Sequence, residues 1–135
     1  WVRNEWEWSH YNFEQAPVAE LFEMFKVWES EANRLLDLKL VSPGYDAVIK
    51  CSHMFNLLDA RGAISVSERV GYIGRVRAIA RKAALGYHHL RAELRYPLIE
   101  DEAERERWLA HYADQQARQK ARESAQAEKK KGAAK

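Results

Sequence analysis

The chain has 135 residues, which suits one domain, and hydrophobic residues make up 47% of it, so disorder throughout is excluded. The sequence contains no apolar run of transmembrane length and no signal-peptide pattern, and its one cysteine, Cys51, excludes an internal disulfide. We therefore expect a cytoplasmic protein. Its net charge is only +2, but the beginning of the chain is acidic and the middle is basic.

Aromatic residues are concentrated at the beginning of the chain, in residues 1–16. Trp6 and Trp8 alternate with Glu5 and Glu7, and this period of two predicts a short extended segment. So short a segment cannot form a sheet alone, so it packs on the helices that follow or belongs to a domain upstream. Because the chain starts at Trp1, we expect it to be a piece of a longer protein.

Two amphipathic helices are predicted next. Pro17 suits the first turn of a helix, and apolar residues then recur at helical spacing with acids on the opposite face, so the first helix is expected at about 17–38. Ser42 is a candidate N-cap with Pro43 at the first helical position, and Gly62 suits a helix C-terminus, so the second helix is expected at about 43–61.

A long third helix is predicted at about 66–95. Ser65 and Glu68 have the spacing of a capping box, and Tyr96 is disfavoured in a helix because it precedes Pro97. The apolar seam recurs in steps of four and three, at Arg69, Ile73, Val76, Ala80, Ala83, Tyr87, Leu90 and Leu94. Small residues, Gly74 among them, would permit close approach to neighbouring helices.

The remaining residues predict a polar helix at about 99–128 and a disordered basic tail at 129–135. The fold class is therefore all-α: a bundle of three main helices within a helical domain at 17–98, followed by a long polar C-terminal helix. That helix has little to bury beyond Tyr112 and is expected to project or fray.

The sequence predicts no catalytic residue and no metal site. Its histidines have no cysteine or histidine at ligand spacing, and no serine or cysteine stands in a nucleophile pattern. Gly71 and Gly74 lie inside a predicted helix and lack the lysine and hydroxyl residues of a phosphate-binding loop.

A polar cluster surrounds the predicted break between the second and third helices. Arg69 points toward the apolar seam, so it needs a buried partner, for which Asp59 is the natural candidate. Asn56 is expected to satisfy turn carbonyls, while Ser65 and Glu68 cap the third helix. These five residues are interpreted as structural.

Basic residues dominate the third helix: residues 69–95 hold seven Lys and Arg against one acid, whereas residues 1–37 hold eight acids against three. Packing does not readily explain four of the cations, which are candidates for phosphate contacts with a nucleic acid: Arg61, Arg75, Arg81 and Lys82. The alternative is a basic face that balances an acidic neighbour in the same domain.

The chain resembles the alpha subunit of the bacterial heterotetrameric glycyl-tRNA synthetase over about residues 4–98. The matching words are Asn4-Glu5-x-Glu7-x-Ser9, Tyr11-Asn12-Phe13-Glu14, Pro43-x-Tyr45, Lys50-x-Ser52-His53-x-Phe55-Asn56-Leu57-Leu58-Asp59-Ala60-Arg61, Ala63-Ile64-Ser65-Val66-Ser67-Glu68-Arg69 and Tyr72-Ile73-x-Arg75-Val76-Arg77. The stretch after Pro97 does not look like this family.

The resemblance implies a C-terminal part of that subunit, without the class II catalytic core that binds ATP, magnesium and glycine. Residues 1–16 would be the exit from that core. The implied partners are the beta subunit, a second alpha subunit and tRNA(Gly), with no membrane. We expect an inactive fragment that serves assembly with the beta subunit, support of the tRNA acceptor arm, or both. The alternative is a free-standing helical module that binds protein or nucleic acid.

Overall fold

The computed structural model describes the backbone of residues 1–133 and the side chains of residues 1–122 and 124–127. Within these residues the chain is helical and contains no strand, which confirms the predicted all-α class. The α-helices are α1 (Val2–His10), α2 (Val18–Asp37), α3 (Val41–Ala60), α4 (Val66–Glu93) and α5 (Glu102–Ala133). The chain divides into two compact units, Trp1–Tyr87 and His88–Lys135, and the division falls within α4.

The predicted extended segment at 1–16 is wrong, since these residues form α1 and a short π-helix, Tyr11–Gln15. Side chains four residues apart support the helix: Arg3 pairs with Glu7 at 2.7 Å, and the Trp6 and His10 rings stack with centroids 5.0 Å apart. The alternation of Trp6 and Trp8 with acids is misleading because none of these residues is buried. Burial on one face is what makes a period of two diagnostic of a strand.

α2 and α3 form the central pair of the first unit and supply most of its core. α2 runs close to its predicted bounds, but α3 begins two residues earlier than predicted, with Leu40 as its N-cap and no side-chain cap. Ser42 is therefore inside the helix, and the prediction that it caps α3 is wrong. Pro43 is tolerated there because the first turn has no carbonyl partner for its missing N–H. The buried residues of the pair are Leu21, Phe25, Ala32, Leu36, Gly44, Ala47, Val48, Cys51, Phe55, Leu57 and Leu58.

α4 closes the core of the first unit with Ile79 and Ala83, which are fully buried. The Tyr72 ring lies against Phe25, with centroids 5.0 Å apart. The predicted seam is correct for Ile73, Val76, Ala80 and Ala83, which contact the core. Its ends are wrong, because Arg69, Tyr87, Leu90 and Leu94 are exposed. The face of α4 that contacts the core is therefore centred on Tyr72 and Ile79 rather than on the predicted seam.

In the second unit α4 ends at Glu93, and Arg95 and Tyr96 have positive φ angles of 55° and 47° just before Pro97. Tyr96 is buried, and its hydroxyl lies 3.1 Å from His88 Nε2. His89 and Tyr112 form a second ring-to-hydroxyl contact. Residues 113–122 of α5 are exposed, in line with the expected projecting helix. α5 extends to Ala133, so residues 129–133 of the predicted disordered tail are helical, and residues 134–135 lie outside the described residues.

Cys51 is expected to resist thiol reagents until the first unit unfolds. Its Sγ is fully buried 3.7 Å from the Phe25 carbonyl, and burial, with the nearby Glu29 carboxylate, raises the pKa of the thiol to about 11. Because the folded pKa is raised, the protonated thiol contributes stability at pH below about 8.5, and this contribution is lost as pH rises through about 11.

The measurement is the rate of modification by a chromogenic disulfide at pH 8, with and without urea. We expect modification only at urea concentrations that unfold the chain. Rapid labelling of the folded protein would contradict the burial of Cys51.

Candidate interaction surface

The junction between α3 and α4 is a tight helix break. Gly62 has φ of +64°, which a residue with a side chain adopts only with strain. Its N–H donates to Asp59 O at 3.0 Å and the Ala63 N–H donates to Leu58 O at 3.0 Å. This is the paired hydrogen-bond pattern of a glycine-terminated helix, as the sequence predicts.

The predicted capping box is present at the start of α4. The Glu68 N–H donates to Ser65 Oγ at 3.3 Å, and the Ser65 N–H donates to Glu68 Oε2 at 3.1 Å. Hydrogen bonds from Ser65 lower the pKa of the Glu68 carboxyl. Ser65 and Glu68 are exposed, so both act as structural caps at the surface.

The predicted pair of Asp59 and Arg69 is also present, with Arg69 Nη2 2.9 Å from Asp59 Oδ2. The expectation that it is buried is wrong, because 55% of the Arg69 side chain is exposed. Asn56 lies exposed on α3 and, within residues 1–122, makes no hydrogen bond to the turn, so its predicted contact to the turn carbonyls is wrong. The polar cluster ties α3 to α4 at the surface of the first unit.

Arg61 fastens the N-terminal helical segment to the end of α3. Its Nε donates to Ala16 O at 3.1 Å and its Nη1 donates to Phe13 O at 2.6 Å. Both carbonyls lie at the end of the π-helix, where backbone acceptors have no helical partner. Arg61 therefore has a structural role that the sequence pattern does not reveal.

Arg75 joins α4 to α2 through a fork of two hydrogen bonds to Glu29, with Nε 2.8 Å from Oε1. Its guanidinium carbon also lies 4.6 Å from the centroid of the Phe25 ring and 5.0 Å from that of Tyr72. The Glu29 carboxylate raises the pKa of Arg75. Only 23% of the Glu29 side chain is exposed, so Arg75 is the cation that neutralises a half-buried acid.

Lys82 makes a second link from α4 to α2, two turns further along. Its Nζ lies 2.7 Å from Asp37 Oδ1 and 3.2 Å from both the carbonyl and the side-chain oxygen of Asn33. Three of the four candidate phosphate ligands therefore have internal partners, and the expectation that packing does not explain them is wrong. For Arg75 and Lys82 the structure agrees with the alternative interpretation, in which acids of a neighbouring helix balance the basic face of α4.

The fourth candidate, Arg81, is exposed on α4, and so is Arg77 one turn before it. Neither is paired with a carboxylate in the part of the chain that the structure describes. Arg77 is not among the candidates predicted from the sequence, although its offset from the seam places it on the outer side of the helix. These two arginines are the cations of α4 in the first unit that are available to a partner.

A second exposed area lies on α1 and α3. Trp8 and Tyr11 line a shallow cleft that reaches His53 on α3, together with Asn4 and Glu7. His53 also borders a shallow groove between α3 and α4, with Tyr45, Val48, Ile49, Ser52, Asn56, Val76 and Ala80. Much of the apolar area on α1 is open, since Trp6 is 53% and Trp8 is 59% exposed. Open aromatic area of this kind is typical of a surface that another protein segment covers.

In the part of the chain that the structure describes, no three His, Cys, Asp or Glu residues are placed to hold a metal ion. No described helix is long and apolar enough to cross a bilayer.

A comparison with protein families finds a match for most of the chain. A family model described as "Glycyl-tRNA synthetase alpha subunit" matches residues 1–92. The match includes α1, α2, α3 and nearly all of α4, and α5 lies beyond it.

Proposed function

The chain belongs to the glycyl-tRNA synthetase alpha-subunit family, and we propose that it supplies a noncatalytic helical domain of glycine–tRNA ligase. That enzyme attaches glycine to tRNA(Gly) with ATP in protein synthesis, and we place it in the cytoplasm. In this proposal the catalytic core that binds ATP and magnesium is another part of the enzyme. The main role of the domain is assembly with the beta subunit, in an enzyme that also contains a second alpha subunit.

The observation that carries this proposal is that three of the candidate phosphate-binding cations of the first unit are bound to internal partners. Arg75 and Lys82 are bound to Glu29 and Asp37 across the interface between α4 and α2, and Arg61 is bound to backbone carbonyls. Cations held in this way fix the relative positions of helices, which is what a scaffold requires. A cation that already has an internal partner is less available to a phosphate group than a free one.

The exposed aromatic side chains of residues 1–13, which include α1, support a second element of the proposal. Trp1, Trp6, Trp8 and Phe13 are each more than half exposed. We assign them to a contact with the catalytic core, which would remove their apolar area from water.

Support of the tRNA acceptor arm is the second candidate role, and the open position of Arg81 favours it. Against it, residues 1–87 hold eleven basic and eleven acidic residues, so the first unit offers no net attraction for a phosphate backbone. A free-standing helical module is the third candidate, and it predicts no association with synthetase subunits.

The test is association and catalysis measured side by side. We expect the purified chain to form a complex with the beta subunit, detected by analytical ultracentrifugation, and to show no glycine-dependent exchange of pyrophosphate into ATP. Exchange by the chain alone would contradict the noncatalytic assignment. Failure to associate with any synthetase subunit would favour the free-standing module.

A further inference from the structure

α4 has two faces of similar chemistry, and only one of them is covered within the first unit. The covered face carries Arg75 and Lys82 beside Tyr72, Ile79 and Ala83, and α2 supplies acids to both cations. The other face carries Arg77 and Arg81. At about 100° per residue, these two arginines lie on the side of α4 opposite Ile79 and Ala83.

Apolar side chains flank the two arginines along the outer face. Val66 is 89%, Val70 74% and Leu85 49% exposed. A methyl group added at Gly74 would meet nothing within 4 Å, so a partner can approach the helix backbone closely. Exposed valines in a row with unpaired arginines repeat the combination of apolar and cationic residues that α2 recognises on the covered face.

We propose that this outer face, defined by Val66, Val70, Gly74, Arg77, Arg81 and Leu85, docks an acidic amphipathic helix of a partner subunit. The inference rests on the proposed function and deepens it by assigning the surface and the chemistry of the assembly contact. Carboxylates on the incoming helix pair with Arg77 and Arg81, and its apolar residues cover Val66, Val70 and Leu85.

A protein helix is favoured over RNA for two reasons. A phosphate backbone gains nothing from covering exposed valines, whereas an amphipathic helix gains free energy from each apolar side chain that it removes from water. The first unit also has no net charge, so the attraction is local to the two arginines and needs a partner with locally matched acids.

The experiment uses the complete synthetase assembled with its beta subunit. The double substitution R77E/R81E is expected to weaken subunit association by at least about tenfold in analytical ultracentrifugation. V70S is expected to weaken it about fivefold, because it removes apolar area and leaves the charge unchanged. All three positions are exposed, so circular dichroism and thermal unfolding of the variants should match those of the parent.

The control is K26E/R34E, which makes the same change in charge at exposed positions of α2 and should leave association unchanged, although it also breaks the exposed pairs of Lys26 with Glu23 and of Arg34 with Glu31. If R77E/R81E assembles normally but the KM for tRNA rises, the face binds RNA and the proposal is overturned. Normal assembly with an unchanged KM also overturns it, while the scaffold role of the domain survives. If the parent alpha chain itself fails to associate, the scaffold role and this inference fall together.

Discussion

Replacement of Gly44 by valine is expected to lower the free energy of unfolding by about 3 kcal/mol. A Cβ at this position would lie 2.7 Å from Leu36 Cδ2 and 2.8 Å from Leu36 Cγ. Leu36 is buried between α2 and α3, so the two helices must separate or its rotamer must change. Alanine should cost about 1 kcal/mol, because its better helix propensity offsets part of the clash. Urea denaturation followed by circular dichroism gives both values.

Gly74→Ala is the control for this prediction, because it places the same methyl group in the interior of a helix with nothing within 4 Å. It should stabilise the protein by up to about 1 kcal/mol. The opposite signs of the two substitutions separate close helix packing from helix propensity. Equal effects at the two glycines would show that Leu36 lies farther from Gly44 than the structure indicates.

Arg75→Ala is expected to cost about 2 kcal/mol of unfolding free energy. It removes the fork to Glu29 and the contact with the Phe25 and Tyr72 rings, and it leaves a half-buried carboxylate without its cation. We keep the value below that of a fully buried pair because 40% of the Arg75 side chain is exposed.

A double-mutant cycle with Glu29→Ala isolates the pair. The double variant should be more stable than the sum of the single effects predicts by about 1 kcal/mol or more, since neither charge is then left alone. Arg75→Lys keeps the charge but loses the fork, so it should recover only part of the stability. Additive single effects would mean that Arg75 stabilises α4 through ring packing alone.

The sequence predicts the helices of the first unit well where the signal is local. The glycine at 62 and the box formed by Ser65 and Glu68 are encoded within a few residues, so the break between α3 and α4 is predicted almost to the residue. The start of α3 is missed because Leu40 caps it without a side-chain bond, and such a start leaves no residue signature.

The use of the cations could not be predicted from the sequence, because it depends on contacts between residues far apart in the chain. Arg75 and Glu29 are 46 residues apart, and Arg61 reaches a carbonyl 48 residues away. Seam spacing places a cation on one side of α4, but only the packed position of α2 decides whether an acid meets it. Because these long-range contacts are not visible in the sequence, the sequence pattern favours Arg75 and Lys82 as phosphate ligands and passes over the exposed Arg77.

The prediction of an extended segment at residues 1–16 is wrong for a different reason. Alternation predicts a strand only when one side of the segment is buried, and α1 has no buried residue in the structure. Helix-forming pairs at a spacing of four, such as Arg3 with Glu7, are present in the sequence and are the better indicator.

The division of the core between the α2–α3 pair and α4 has a consequence for folding. Leu38–Leu40 is the whole connection between α2 and α3, so this hairpin closes a short loop and can form early. The contacts of α4 with α2 span more than 40 residues and involve a smaller share of the fully buried side chains, so they form later. Detachment of α4 from the α2–α3 pair is then expected to cost less free energy than separation of α2 from α3, so amides of α4 should exchange with solvent deuterium before those at the centre of α3.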